Sequence, residues 1–147
     1  MIVVYILAGL VGLYLIFQGG SVAMGIYYSG QARRLAAAIS VAEGTTRPDG
    51  SPVVTSLGWK NNNPGDILNN AGMMITYPDI QTGWDALYKQ AESMIRGTSS
   101  VYSPGMSLMQ TAQLYTGGDN AVSWAGAVAQ QLGLSITNTL EDVGTLA

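Results

Sequence analysis

The chain has 147 residues, 6 Lys and Arg against 9 Asp and Glu, a net charge of −3, and neither Cys nor His. Only 10% of its residues are charged while 48% are hydrophobic, against roughly 25% charged in an ordinary soluble domain. These values exclude a disordered chain, a basic nucleic-acid binder, a disulfide framework or thiolate chemistry, and any site built on imidazole. Chemistry here has to come from carboxylates, hydroxyls, amides, Lys or Tyr, and the sequence calls for no cofactor and no metal.

No charged side chain occurs from Met1 to Ala32, and Ile2 to Phe17 has no strongly polar one; Arg33 and Arg34 follow directly. A run apolar on every face and longer than the ~20 residues that span hydrocarbon predicts a single transmembrane helix over residues 1–32. No basic residue precedes the run and no clean Ala-x-Ala follows it, which separates it from a cleaved signal peptide. Tyr5, Tyr14, Tyr27 and Tyr28 are candidates for an interfacial belt, and Ala8, Gly9 and Gly12 for a small-residue contact face.

Residues 33–147 read as one small, mainly α domain. Gln31 to Glu43 is Ala-rich, places Leu35, Ile39 and Ala42 on one stripe, and stops at Gly44. Residues 45–58 carry loop or hairpin punctuation, with Val53 and Val54 as a possible short strand. Asn61-Asn62-Asn63-Pro64-Gly65 is turn chemistry, and Met73 to Tyr77 is a candidate strand. From Gln81 to Arg96, the residues Trp84, Leu87, Tyr88, Ala91 and Ile95 recur at helical spacing. Ser107 is placed to cap a helix reaching Tyr115, Asn120 to cap another ending at Leu132 before Gly133, and Thr139 opens a final turn.

Among the nine acids, Glu141, Asp142, Glu92 and Asp85 read as solvated, Asp79 as a turn residue, and Asp119 as a partner of a helix dipole. Glu43 differs: it is the only acid before Gly44 and ends an apolar helix. A carboxyl there either projects from the helix end into a cleft, where desolvation raises its pKa and makes it a general acid, or lies solvated on the surface. Spacing alone leaves both open.

Three stretches carry a resemblance. They are Ala38-Ile39-Ser40-Val41-Ala42-Glu43-Gly44, then Lys60-Asn61-Asn62-Asn63-Pro64-Gly65-Asp66-Ile67, then Tyr77-Pro78-Asp79-Ile80-Gln81-Thr82-Gly83-Trp84-Asp85-Ala86-Leu87. Together with Met106 to Tyr115, Gly117-Gly118-Asp119-Asn120 and Leu132-Gly133-Leu134, they make residues 35–135 resemble the small lysozyme-like domains of phages and prophages, related to lytic transglycosylases. The resemblance implies an α domain with a small β hairpin and cleavage of peptidoglycan glycan strands. It makes Glu43 the catalytic acid and base, and Asn61, Asn62, Asn63, Tyr115 and Asp66 the substrate-binding set. A hydrolytic version would need a second carboxylate, for which Asp66 and Asp49 are nearest in sequence. Trp59, Trp84 and Trp124 are candidate sugar-stacking platforms, Trp84 fitting the core better. Lys60 stands where the family usually has Arg, Asp66 where it usually has Asn or a similar polar residue, and residues 50–58 lack charge.

The expected partners are peptidoglycan, a lipid bilayer and other virion or membrane proteins, with no nucleic acid. The expected place is a virion's internal membrane or a bacterial inner membrane, crossed once. A different reading keeps the fold without the chemistry, as a structural protein linking a viral membrane to its capsid. Such a connector would bury Glu43 or pair it with Lys60, Arg47 or Arg96, whereas an enzyme keeps it in an open groove.

Overall fold

A computed structural model describes residues 28–147 in full and, before them, the backbone of two strands, β1 (Leu13–Gln18) and β2 (Ser21–Ile26). The strands pair antiparallel, Leu13 opposite Ile26 and Gln18 opposite Ser21. This differs from the single helix predicted over 1–32. The physical reason lies in the run itself. Periodicity cannot separate a fully apolar helix from a fully apolar strand. Val, Ile, Tyr and Phe favour strands, and Gly19-Gly20 would cost a helix interior about 1 kcal/mol per glycine. Among the described residues no helix is long and apolar enough to cross a membrane. Tyr5, Tyr27, Ala8, Gly9 and Gly12 lie outside the described residues. Tyr28, expected at a membrane interface, is only 7% exposed and packs its ring 5.6 Å from that of Tyr88.

The described remainder is mainly helical. α1 (Gly30–Ala42) starts at Ser29, whose hydroxyl accepts from the Ala32 N–H. Ala32, Leu35, Ala36 and Ile39 form an i, i+3, i+4, i+7 stripe that is fully buried, and Ala38 and Ser40 extend burial to a second face. Small side chains allow close approach on both faces, so α1 lies between α3 (Ile80–Arg96) and α5 (Ala121–Leu132). Leu87, Ala91 and Met94 of α3 and Trp124, Ala125, Val128 and Leu132 of α5 complete that core. α4 (Leu108–Tyr115) packs on α5, and the short α6 (Leu140–Gly144) on α3.

Caps fix the ends of these helices. Asp79 accepts from the Thr82 N–H at the start of α3, and Gly97 ends it in the left-handed region at φ 69°. Ser107 with Gln110 and Thr139 with Asp142 form reciprocal capping boxes on α4 and α6. The chain entry to α1 is tied to α3, because Glu92 accepts from both the N–H and the hydroxyl of Ser29. Glu92 also pairs with Arg96, so it is a structural anchor rather than the solvated acid expected.

A one-turn helix, α2 (Leu57–Lys60), stands at the end of the stretch read as loop. Val53–Val54 and Met73–Tyr77 are not strands. The expected hairpin shrinks to isolated bridges, Thr46 with Pro52 and Leu68 with Met74. The buried Asn63 takes over what a longer ladder would supply. Its amide donates to the Ile67 and Ile75 carbonyls at 2.8 and 2.9 Å, and its oxygen accepts from the Ile67 N–H at 2.8 Å.

Candidate functional site

The C-terminal end of α1 lies at a solvent-open groove of about 490 Å³. Glu43 is the helix's C-cap. Gly44 turns the chain in the left-handed region at φ 70°, and the Thr45 hydroxyl then bonds the Ser40 and Pro64 carbonyls. Those bonds fasten the chain after Glu43 to the Asn-rich turn, and they fix where the carboxyl leaves the helix. Ala42 and Glu43 form one wall of the groove. Asp66, Leu68 and Met74 come from the loop between α2 and α3; Tyr115, Thr116, Asp119, Asn120, Ser123 and Trp124 come from the α4–α5 corner.

Glu43 is half-buried, and burial pushes its carboxyl from 4.5 up to about 7. The nearby Asp66 charge adds to the rise, and a hydrogen bond from the Trp124 indole N–H to Oε1, 2.6 Å long, works against it. Oε2 of Glu43 has no hydrogen-bond partner among the described residues. A carboxyl that is half protonated near neutral pH, with one free oxygen in an open groove, is equipped to donate and retake a proton.

Tyr115 stacks on Trp124 with ring centroids 4.9 Å apart, and its hydroxyl donates to the Gly65 carbonyl at 2.6 Å. Burial raises the Tyr115 hydroxyl well above its ordinary range and raises that of Tyr102 to about 12, the Glu43 charge adding to both. Both therefore stay protonated where Glu43 titrates.

Asp66 lines the groove from a left-handed backbone position, φ 47°. Its Oδ1 is buried without a hydrogen-bond partner, against Gly58, where a Cβ would sit 2.0 Å from it. That desolvation raises its pKa. Asp49, the other acid considered as a partner for Glu43, does not line the groove; its carboxylate accepts from the Ser51 N–H in an exposed turn.

The three asparagines do not line the groove. Asn61 donates to the Met74 sulfur and accepts from the Thr76 hydroxyl, Asn62 donates to the Tyr77 carbonyl, and Asn63 is 0% exposed. They build the loop that carries Asp66, Leu68 and Met74. The Asn62 carbonyl also rests on α3 at Gly83, where an added Cβ would lie 1.8 Å from it. Trp84 stacks on Tyr88, away from the groove. Trp59 does not line it either, so of the three tryptophans only Trp124 reaches it.

Sequence reasoning missed Thr116, Ser123, Leu68 and Met74 as lining residues and Trp124 as the partner of Glu43. Asp119 and Asn120 also prove to be lining residues. Asn120 sits at the start of α5 with φ 61°, and its side chain makes no capping bond. The signal for this wall was the polar Gly117-Gly118-Asp119-Asn120 run between two helices. Among the described residues no group of three His, Cys, Asp or Glu could hold a metal ion.

No protein-family model, no curated protein and no solved structure matches the chain.

Proposed function

We propose that the protein is a glycosidase of the lysozyme and lytic-transglycosylase kind that cleaves peptidoglycan glycan strands, with Glu43 as its general acid and base. The observation that carries this is a half-buried glutamate, held up to about 7, at the mouth of an open groove. Glu43 is neither fully buried nor paired with Arg47, Lys60 or Arg96, the two arrangements expected of a connector. Arg47 bonds the Ser51 hydroxyl and the Pro52 carbonyl, Lys60 is exposed, and Arg96 pairs with Glu92.

In the reaction, protonated Glu43 gives its proton to the glycosidic oxygen as the C1–O bond breaks and the sugar approaches an oxocarbenium ion. The resulting carboxylate then takes a proton from the incoming hydroxyl. That hydroxyl belongs to water in a hydrolase, or to the sugar itself when an anhydro ring closes. Thr116, Asp119, Asn120 and Ser123, from the α4–α5 corner, offer hydroxyl, carboxylate and amide groups to sugar substituents.

The charge-free run over 1–32 supports attachment to a bilayer, of a virion or a bacterium, through this segment. A lone two-stranded pair leaves backbone groups unpaired in hydrocarbon. Attachment by a spanning helix therefore requires this run to be helical in lipid, which circular dichroism of the full chain with and without vesicles reads directly.

The functional test is release of soluble muropeptides from purified sacculi by the full chain, wild type beside Glu43→Gln. Release by the wild type alone supports the assignment. Release by both removes Glu43 as the acid, and release by neither, with both folded, favours the connector.

A further inference from the structure

Glu43 and Trp124 lie 81 residues apart, on α1 and α5, and meet through the 2.6 Å bond from the indole N–H to Oε1. An indole N–H only donates, so Oε1 must accept in either protonation state. Trp124 is 4% exposed and cannot swing away without leaving the core. Its ring stacks on that of Tyr115, which is itself fixed by its hydroxyl on the Gly65 carbonyl. Gly65 has no room for a side chain there: a Cβ would lie 2.6 Å from Leu87 and 3.2 Å from the Tyr115 hydroxyl. The chain of contacts therefore runs from the Asn-rich turn through Tyr115 and Trp124 to one oxygen of Glu43, joining three walls of the groove.

We propose that Trp124 is a positioning residue for Glu43: its indole N–H holds Oε1 as the permanent acceptor, so that Oε2 carries the transferable proton, and Tyr115 holds Trp124 in place. This deepens the glycosidase reading and rests on it. A free carboxyl shares its proton between two oxygens and rotates; a pinned one presents a single acidic oxygen in one direction. The bond also favours the carboxylate, so it limits how far burial lifts Glu43.

The direct test uses the unmodified full chain labelled with ¹⁵N at its indole nitrogens. The chain has three Trp, and the Trp124 resonance is assigned by elimination with Trp59→Phe and Trp84→Phe. The expected result is that the Trp124 N–H signal alone titrates, with a midpoint at about 7, and becomes flat in Glu43→Gln. Asp66 and Asp119 also line the groove, and the Tyr102 and Tyr115 hydroxyls lie beside Glu43, so the titration must survive in Asp66→Asn. A flat Trp124 signal in the folded wild type, or a titration that persists in Glu43→Gln, overturns the proposal.

The kinetic arm uses Trp124→Phe, which keeps a ring and removes the donor. Loss of a hydrogen bond to a charged group moves the alkaline limb of the pH–rate profile, where Glu43 loses its proton, upward by about one pH unit. The expected kcat falls roughly tenfold or more, with KM within about twofold. A raised KM with unchanged kcat overturns positioning. If Trp124→Phe does not fold, Tyr115→Phe, which keeps the stack and frees its hydroxyl tie, is expected to move the same two readouts in the same directions. A wild type that titrates at Trp124 yet leaves peptidoglycan intact overturns the glycosidase reading and retains the pairing. One that cleaves with a flat Trp124 signal does the reverse.

Discussion

Glu43→Gln is expected to stabilise the protein at pH 8 and to leave its stability almost unchanged at pH 4. In the unfolded chain the Glu43 carboxyl loses its proton near 4.5, and in the folded protein it keeps it to about 7. A raised folded pKa favours the fold while the proton is bound, so its contribution is complete below about pH 4.5 and is lost as pH rises to about 7. A displacement of that size corresponds to at most about 3 kcal/mol. Glu43 faces an open groove and keeps part of its solvation, so about half of that, ~1.5 kcal/mol, is the realistic penalty at pH 8. Gln removes the charge while its amide oxygen still accepts from the Trp124 indole. For a domain of this size the gain is a rise of roughly 5 °C in melting temperature. Thermal melts of both proteins at pH 4 and pH 8 measure it. Equal differences at the two pH values, or a Glu43→Gln protein that melts lower at pH 8, would refute desolvation as the cause of the raised pKa.

Three further variants test the loop that carries Asp66 and its contact with α3. Asn63→Ala leaves the Ile67 N–H and the Ile67 and Ile75 carbonyls without their side-chain partner, and urea unfolding should show a loss of about 3 kcal/mol. Gly83→Ala drives a Cβ into the Asn62 carbonyl backbone and should destabilise by roughly 3 kcal/mol; a melt within 1 °C of wild type (an order-of-magnitude criterion) would show that α3 and the turn can separate freely. Asp66→Asn removes a charge that raises the Glu43 pKa, so the Glu43 midpoint should fall in carboxyl ¹³C titrations. The same variant should be more stable than wild type at pH 8, because it replaces a desolvated carboxylate at a left-handed position that Asn tolerates.

Much of the fold was legible because the helices carry local signals. Ser107 caps the helix expected of it, Thr139 opens the final turn as a capped helix, Gly133 stops α5 at φ 70°, and the α3 stripe lies where the 3.6-residue period puts it, whereas Asn120, expected to cap α5, makes no side-chain capping bond. α2 was hidden because Ser56, its capping residue, sits in a stretch dense with Gly, Ser and Pro that reads as loop throughout. The apolar run before Tyr28 misled for the reason already given: two kinds of element share its pattern. The groove was half legible. Glu43 stood out as a lone acid ending an apolar helix, and Asp66 and Tyr115 do line the same groove. The asparagines were singled out for substrate, yet turn chemistry commits their amides to nearby backbone and side-chain groups, and no spacing rule reveals which face of a turn meets a cleft. The Trp124 contact spans 81 residues, so local pattern could not place an indole donor on the Glu43 carboxyl.

The most direct measurement is the pH dependence of muropeptide release from purified sacculi by the full chain, with Glu43→Gln as the control. A general acid at Glu43 predicts release by the wild type that falls as pH rises through about 7, and none by the variant. Release that is level from pH 5 to pH 9 (a nominal span of about two pH units either side of that midpoint), or equal in the two proteins, would contradict Glu43 as the proton donor.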